Sequence, residues 1–207
     1  MLPRKIATLL VALLFALPLA AEMLTFDLDP AATRVEIGFG ATLHHVDGSL
    51  RVKAGQIRFD PETAQASGRI VIDATSATTG VTRRDRKMHE KILESAKYPD
   101  IVFTVERITG AVHRTGRSEM EIHGTLDMHG VQKPVDVLAT AVVDGDRVKA
   151  TGHLTVPYRE WGMADPSFFI LRVEKEVHIQ LKVAGRLTGA PPAAATPAPP
   201  PRHSSRS

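Results

Sequence analysis

The chain contains no cysteine. This absence excludes disulfides, thiolate metal sites, a cysteine nucleophile and a lipid-modified N-terminal cysteine. Aromatic residues are also scarce, with one Trp and two Tyr in 207 residues. A membrane-spanning β-barrel needs a girdle of aromatic side chains at each interface, so this shortage argues against that class of protein.

The central part of the chain has almost no net charge. Four of the 26 basic residues lie outside residues 22–189, which leaves 22 basic against 23 acidic residues within them. The basic pI of the whole chain therefore comes from its two ends. Nucleic-acid binding requires clustered positive charge on the folded domain, so we expect no nucleic-acid partner.

Familiar catalytic motifs are missing as well. The sequence has no Gly-x-Ser-x-Gly, no Ser-x-x-Lys and no phosphate-binding glycine loop. Its Asp and Glu residues are scattered, and no pair stands out as an acid and a base. We predict that the protein is not an enzyme and has no catalytic residues, although a barrel enzyme with another arrangement stays an alternative.

Both ends of the chain differ from the body. Residues 1–21 combine Arg4 and Lys5 with a short apolar run and small residues at Ala20 and Ala21, which predicts a signal peptide and a periplasmic or secreted protein. The apolar run is too short to span a bilayer comfortably, so we expect no stable membrane span after its removal. An uncleaved N-terminal anchor is the alternative. Residues 190–207 are rich in Pro and Ala and predict a disordered tail.

The body, residues 22–189, alternates apolar and polar residues with period two. The clearest apolar stripe on one face consists of Val135, Val137, Ala139, Ala141 and Val143. Period two places alternate side chains on opposite faces of a sheet, one apolar and one wet, as in antiparallel sheets. Turn signals such as Asp144-Gly145 separate eight or nine such segments. This length suffices for one domain with a real core.

One segment, residues 82–95, has the periodicity of a helix. Met88, Ile92 and Leu93 form its apolar stripe, and Thr82 followed by Asp85 predicts an N-terminal cap. Many antiparallel strands with one short helix must close into a barrel or pair as a sandwich. Periodicity alone gives the barrel only a slight preference.

The eight histidines of the body do not predict a metal site. Those in predicted strands, such as His123, His129, His153 and His178, alternate with apolar neighbours and are expected to face solvent. No tight ligand spacing accompanies any of them. We therefore predict no metal and no cofactor. His45 is expected in a turn between strands, near a barrel mouth.

Three further segments are distinctive: Thr82-Arg83-Arg84-Asp85 with the later Tyr98-Pro99, Gly124-Thr125-Leu126-Asp127-Met128-His129-Gly130, and Arg159-Glu160-Trp161-Gly162. In their order and spacing they resemble the YceI-like family of secreted polyisoprenoid-binding proteins. The resemblance covers about residues 26–183. It implies an all-β fold with one short helix, an eight-stranded antiparallel lipocalin-like barrel enclosing an apolar cavity. It also implies a bound isoprenoid lipid, either a quinone or a prenyl phosphate.

The apolar faces of the predicted strands supply candidates for the cavity lining. Because these faces hold mostly Val, Ile and Ala, with few aromatics to fill a barrel, we expect a hollow interior. The expected lining residues are Val35, Ile37, Phe39, Ile57, Phe59, Ile70, Ile72, Phe103, Val137, Ala139, Leu154, Trp161 and Ile179. Trp161 has a second interpretation as a plug of the barrel.

Positive charge near the barrel mouth suggests where a lipid head group would bind. Arg84, Arg86 and His45 are the candidates, with an ordinary solvated helix start as the alternative interpretation of the arginines. The function expected is non-catalytic binding, transport or storage of an isoprenoid lipid. The alternatives are a structural or stress-response barrel with no ligand, or an enzyme acting on a hydrophobic substrate. The sequence makes no prediction of the oligomeric state.

Overall fold

The alternating segments fold into nine antiparallel strands. The computed structural model describes residues 23–41, 44–165 and 175–189, so the predicted signal peptide and tail lie outside the described residues. The strands are β1 (Leu24–Leu28), β2 (Arg34–Ala41), β3 (His44–Phe59), β4 (Gln65–Thr78), β5 (Asp100–Ala111), β6 (Gly116–Met128), β7 (Val131–Asp144), β8 (Arg147–Val156) and β9 (Val177–Thr188). The helical segments are α1 (Thr82–Lys87), a π-helical turn (Met88–Ile92) and a 3₁₀ turn (Tyr158–Trp161).

β1 and β2 together close the sheet into a barrel. Each strand from β3 to β8 pairs antiparallel with the next one in sequence. β2 bridges the first halves of β3 and β9, with Ile37 opposite Gly48 and Ile179. β1 bridges their second halves, with Phe26 opposite Ile57 and Leu187. The two short strands share one position, which confirms the predicted eight-stranded antiparallel barrel and excludes a two-layer sandwich.

The up-and-down topology gives the barrel two different ends. At one end β4 leads through α1 and the π-helical turn into β5, and β8 runs into the 3₁₀ turn. We call this the helical end. At the other end, called the turn end, β7 passes into β8 through Gly145 and Asp146, which confirms the turn predicted at Asp144-Gly145.

The period-two pattern sorts side chains between the interior and the outside as predicted. Along β7, Val137, Ala141 and Val143 are buried. Leu138 and Val142, on the opposite face of the same strand, are 63% and 48% exposed. The buried apolar side chains therefore point into the barrel, and the fold does not bury a second face.

The β2–β3 connection differs from the sequence-based expectation. The sequence predicts a turn at His44 and His45, but both residues belong to β3, which begins at His44. His45 pairs with Gly40 and Asp47 with Gly38. The Asp-Gly step suggests a turn, but β2 offers a partner to every residue from His44 to Leu50, and the ladder continues through the step.

The helix is shorter and differently capped than predicted. α1 ends at Lys87 and the helical path continues only to Ile92, as a π-helical turn in which Leu93 N donates to Met88 O at 2.9 Å. Val81 occupies the N-cap position, and no side chain caps the helix. The expected Thr82 cap is therefore wrong. No helical segment in the described residues has the length and apolar character of a membrane span.

Asp85 does not cap the helix because its carboxylate binds the end of β4. It accepts hydrogen bonds from Thr78 Oγ1 at 2.7 Å, from Thr79 N at 2.8 Å and from the Thr79 hydroxyl. Burial alone would raise the pKa of Asp85, but the hydrogen bonds from Thr79 and Thr78, together with the charge of Arg84, hold it below the ordinary 3.8. This contact fixes α1 against the barrel rim.

Replacement of Asp85 by Asn should lower the free energy of unfolding at pH 7 by about 1–2 kcal/mol, because hydrogen bonds to a charged acceptor are lost. A depressed carboxyl pKa stabilises the fold fully above pH 3.8 and loses that effect as pH falls through the folded value. The difference between wild type and Asp85→Asn should therefore shrink in acid. Urea denaturation at pH 7 and pH 3 measures both quantities.

Thr82→Ala is the matched control for this prediction. Its exposed side chain caps nothing, so the free energy of unfolding should change by less than about 0.5 kcal/mol. A Thr82→Ala effect as large as that of Asp85→Asn would show that the helix is capped as the sequence suggested and would contradict this account.

Candidate ligand-binding cavity

The barrel is hollow and contains two neighbouring apolar cavities. The larger, of about 500 Å³, lies toward the helical end. The smaller, of about 120 Å³, lies toward the turn end. Four side chains line both cavities and form a neck between them: Ile70, Phe103, Val137 and Leu181. The interior of this barrel is therefore not filled by its own side chains.

The structure places most of the predicted lining residues on these walls. Those on the wall of the large cavity are Val35, Ile37, Ile70, Ile72, Phe103, Val137, Leu154 and Ile179. Those found on the wall of the small cavity and not the large one are Ile57, Phe59 and Ala139. These residues belong to strands all around the barrel. Because apolar and polar residues alternate along each strand, their apolar side chains face the same interior.

Two predicted lining residues have a different outcome. The side chain of Phe39 lies outside the described part of the structure. Trp161 lines neither cavity: it is 2% exposed, and its indole Nε1 donates to Leu126 O at 3.2 Å. The expectation that Trp161 lines the cavity is therefore wrong. Its indole instead ties the 3₁₀ turn to β6, and Gly162 leaves the turn with a left-handed φ of 74°.

The helical end contributes lining that the strand pattern did not reveal. Met88, Ile92 and Leu93, the apolar stripe of the helical segment, close over the large cavity. Tyr158 and Met163 line it from the 3₁₀ turn and the chain that follows. The sequence predicts the apolar stripe itself. Its position over the barrel interior follows only from the way the strands are connected in the fold.

The three candidate head-group residues differ in their position relative to the cavity. Arg84 lines the large cavity, and its guanidinium donates to Thr79 through Nε at 2.6 Å and through Nη2 at 3.0 Å. Lys87, which was not a candidate, lines the same cavity. Arg86 is exposed and lines neither cavity, and the side chain of His45 is outside the described part. Positive charge thus reaches the cavity from α1 through Arg84 and Lys87.

His129 contacts both segments that close the helical end: the chain just after the π-helical turn and the 3₁₀ turn. His129 Nε2 donates to the Glu94 carboxylate at 2.7 Å, and its Nδ1 lies 3.2 Å from Trp161 O. The Tyr98 ring packs on the imidazole at 4.4 Å. Glu94 and His129 both adopt positive φ, 44° and 55°, an uncommon backbone conformation that these contacts support. We call this cluster the His129 clasp.

The other strand histidines lie outside the cavities. His153 and His178 are exposed as predicted. The expectation is wrong for His129, since its side chain is only 11% exposed in the clasp. His123 is partly buried on the outer face and bonds to Asp136 at 2.6 Å. Among the described residues, Glu121, His123 and Asp136 form a group close enough to share a cation, and none of the three lines either cavity.

Sequence relatives share the fold-bearing part of this chain. A UPF0312 protein of Vibrio parahaemolyticus is 24% identical over 140 residues, covering 65% of this chain and 72% of its own length. The YceI protein of Escherichia coli is 33% identical over 101 residues, covering 48% of this chain and 50% of its own length.

Solved structures show the same barrel. BcnA of Burkholderia cenocepacia superposes with a TM-score of 0.62 at 21% identity, covering 76% of this chain and 99% of that one. A polyisoprenoid-binding domain of Saccharophagus degradans, implicated in plant cell wall breakdown, superposes with a TM-score of 0.60 at 19% identity, covering 78% and 97%. At these identities the likeness concerns the fold alone.

The sequence model of the YceI-like domain matches residues 26–184, which contains β2 to β8 completely and most of β1 and β9. Both the matched range and the closed eight-position barrel agree with the resemblance carried by residues 82–85, 124–130 and 159–162. The chain therefore belongs to the YceI-like domain family.

Proposed function

We propose that the protein binds an isoprenoid lipid, without catalysis, inside the barrel and serves as its carrier or store. The observation that carries this proposal is the large cavity of about 500 Å³ with an almost wholly apolar wall. Its volume lies within the range of about 300–1,000 Å³ that is typical of small-molecule sites. A hollow of this size also disfavours the alternative of a filled, ligand-free structural barrel.

Apolar burial alone supplies useful affinity. Each buried CH₂ contributes about 0.8 kcal/mol, so a tail of about three isoprene units gives about 12 kcal/mol. Association costs at least about 4 kcal/mol, which leaves at most about 8 kcal/mol, so the affinity from such a tail alone reaches about micromolar at best. Such binding needs few directed contacts, in agreement with a wall of Val, Ile, Leu and Phe.

The family relationship supports the same ligand class. The Saccharophagus degradans domain is described as polyisoprenoid-binding, and its barrel superposes on this one. The charged lining at Arg84 and Lys87 lies at the helical end, so the polar head of the lipid would sit there with its tail toward the neck. Both a quinone and a prenyl phosphate fit this orientation.

Among the described residues, the cavity walls offer no arrangement of side chains for hydrolysis. The one neighbouring His and Ser pair on the described walls lies in the small cavity, where the His113 backbone N–H donates to Ser118 Oγ at 2.8 Å. This bond uses the histidine backbone and not its imidazole, so it creates no activated nucleophile. We therefore propose a binding protein without catalytic activity. From the sequence we further propose that it requires no cofactor or metal, that it is exported to the periplasm or secreted, and that it has no nucleic-acid partner.

Native mass spectrometry of protein purified from cells tests the function directly. We expect a co-purifying isoprenoid, identified by lipid extraction. Leu154→Trp places an indole in the large cavity and should abolish the lipid adduct and weaken binding of an added prenol at least tenfold. Thr155→Trp, one residue along the same strand but on its exposed face, should retain the adduct. Retention of the lipid by both variants would place it outside the barrel.

Because the neck connects the large cavity with the small one, the protein should discriminate between lipid tails of different length. Ala139→Phe fills the small cavity, of about 120 Å³, without reaching the wall of the large one. We expect this change to weaken binding of a C20 prenol several-fold more than binding of a C10 prenol, measured by competition against a fluorescent lipid. Leu138→Phe on the outer face is the control. An equal loss for both prenols would show that tails do not pass the neck.

A further inference from the structure

Tyr158 carries a buried hydroxyl that makes no hydrogen bond within the described part of the chain. The residue is 5% exposed. A buried donor without a partner destabilises the fold, so native proteins rarely retain one without a reason. No other buried side-chain N or O of the described residues is in this state.

The position of this hydroxyl indicates what it serves. Tyr158 lines the large cavity, beside Val156 and Met163. The neighbouring aromatic residue in the same 3₁₀ turn, Trp161, has its own polar atom satisfied by Leu126 O. The turn can therefore satisfy a buried donor through the barrel wall, but it holds Tyr158 against the cavity instead.

The surroundings define the chemistry of a suitable partner. Burial raises the pKa of the Tyr158 hydroxyl above its ordinary 10.0, Asp165 raises it further, and Arg159 opposes them. The phenol thus stays protonated at neutral pH and is a hydrogen-bond donor. An apolar wall disfavours a desolvated anion, and the charge of Asp165 adds to that penalty. An uncharged oxygen acceptor suits this position best.

We propose that Tyr158 is the residue that recognises the head group, and that its hydroxyl donates to a carbonyl or hydroxyl oxygen of an uncharged isoprenoid. The inference rests on the proposed lipid-binding function and narrows it, because it selects a neutral oxygenated lipid over a prenyl phosphate. The cationic side chains of Arg84 and Lys87 lie on the same cavity wall and define the competing site for a phosphate.

Three probes with one tail separate these possibilities: farnesol, its hydrocarbon analogue farnesene, and farnesyl phosphate. Wild type should bind farnesol about tenfold more tightly than farnesene, the equivalent of one good hydrogen bond. Tyr158→Phe removes only the hydroxyl and should remove this preference, weakening farnesol binding about tenfold and leaving farnesene binding unchanged. Tyr98→Phe, which removes the other tyrosine hydroxyl of the chain, should leave both affinities unchanged.

The stability of the ligand-free variant gives an independent readout. Because Tyr158→Phe removes an unsatisfied donor, its Tm without ligand should equal or exceed that of wild type. A merely structural tyrosine would instead lower the Tm and weaken farnesol and farnesene equally, and that result would overturn the inference.

The remaining outcomes are also decisive. Tighter binding of farnesyl phosphate than of farnesol, lost in Lys87→Gln but not in Tyr158→Phe, would assign the head group to the cationic side and refute the role of Tyr158. Farnesol binding that is indifferent to Tyr158→Phe would refute the inference alone. Failure of wild type to bind any of the three probes would refute the proposed function together with the inference.

Discussion

Closure of the backbone hydrogen-bond ladder is the constraint on which the rest of the structure depends. β1 and β2 are each too short to span the barrel wall, but end to end they satisfy β3 on one side and β9 on the other. Every described strand then has neighbours on both sides, and the sheet has no free edge. A wall held by its own ladder does not need a filled interior, so the fold tolerates the cavities that a packed core would not.

The helical end turns this hollow cylinder into a container. α1 and the π-helical turn lie over one part of the opening and the 3₁₀ turn over another. Asp85 fixes the first of these to β4, and the His129 clasp joins both to the β6–β7 turn. Arg84, Lys87 and Tyr158, which line the large cavity, come from these closing segments. In the proposed function the barrel wall buries the lipid tail, and the closing segments select its head group.

The sequence predicted the features that depend on local alternation and missed those that depend on competition between partners. Period two along β7 identified its inward residues correctly, including Val137, because one face of a closed barrel must be apolar. Thr82 and Asp85 have the spacing of a cap, but the end of β4 offered Asp85 better donors. Such competition exists only after distant segments meet, and no local pattern records it.

The candidate site shows the same division. Strand residues of the lining, such as Ile72 and Ile179, were accessible to sequence analysis. Trp161 and Tyr158 were not distinguishable in this way, since both are aromatic residues in one short turn. Only the structure shows that the indole of Trp161 points to Leu126 while Tyr158 lines the cavity. A buried hydroxyl without a partner has no signature in the sequence.

We propose that the apolar interior of the barrel accommodates a lipid tail. A crystal structure of protein purified from cells without delipidation tests it most directly. We predict continuous elongated density from Tyr158 past the neck at Phe103 and Val137, without water along its length. An interior collapsed onto its own side chains, or one filled by ordered water, would contradict the account.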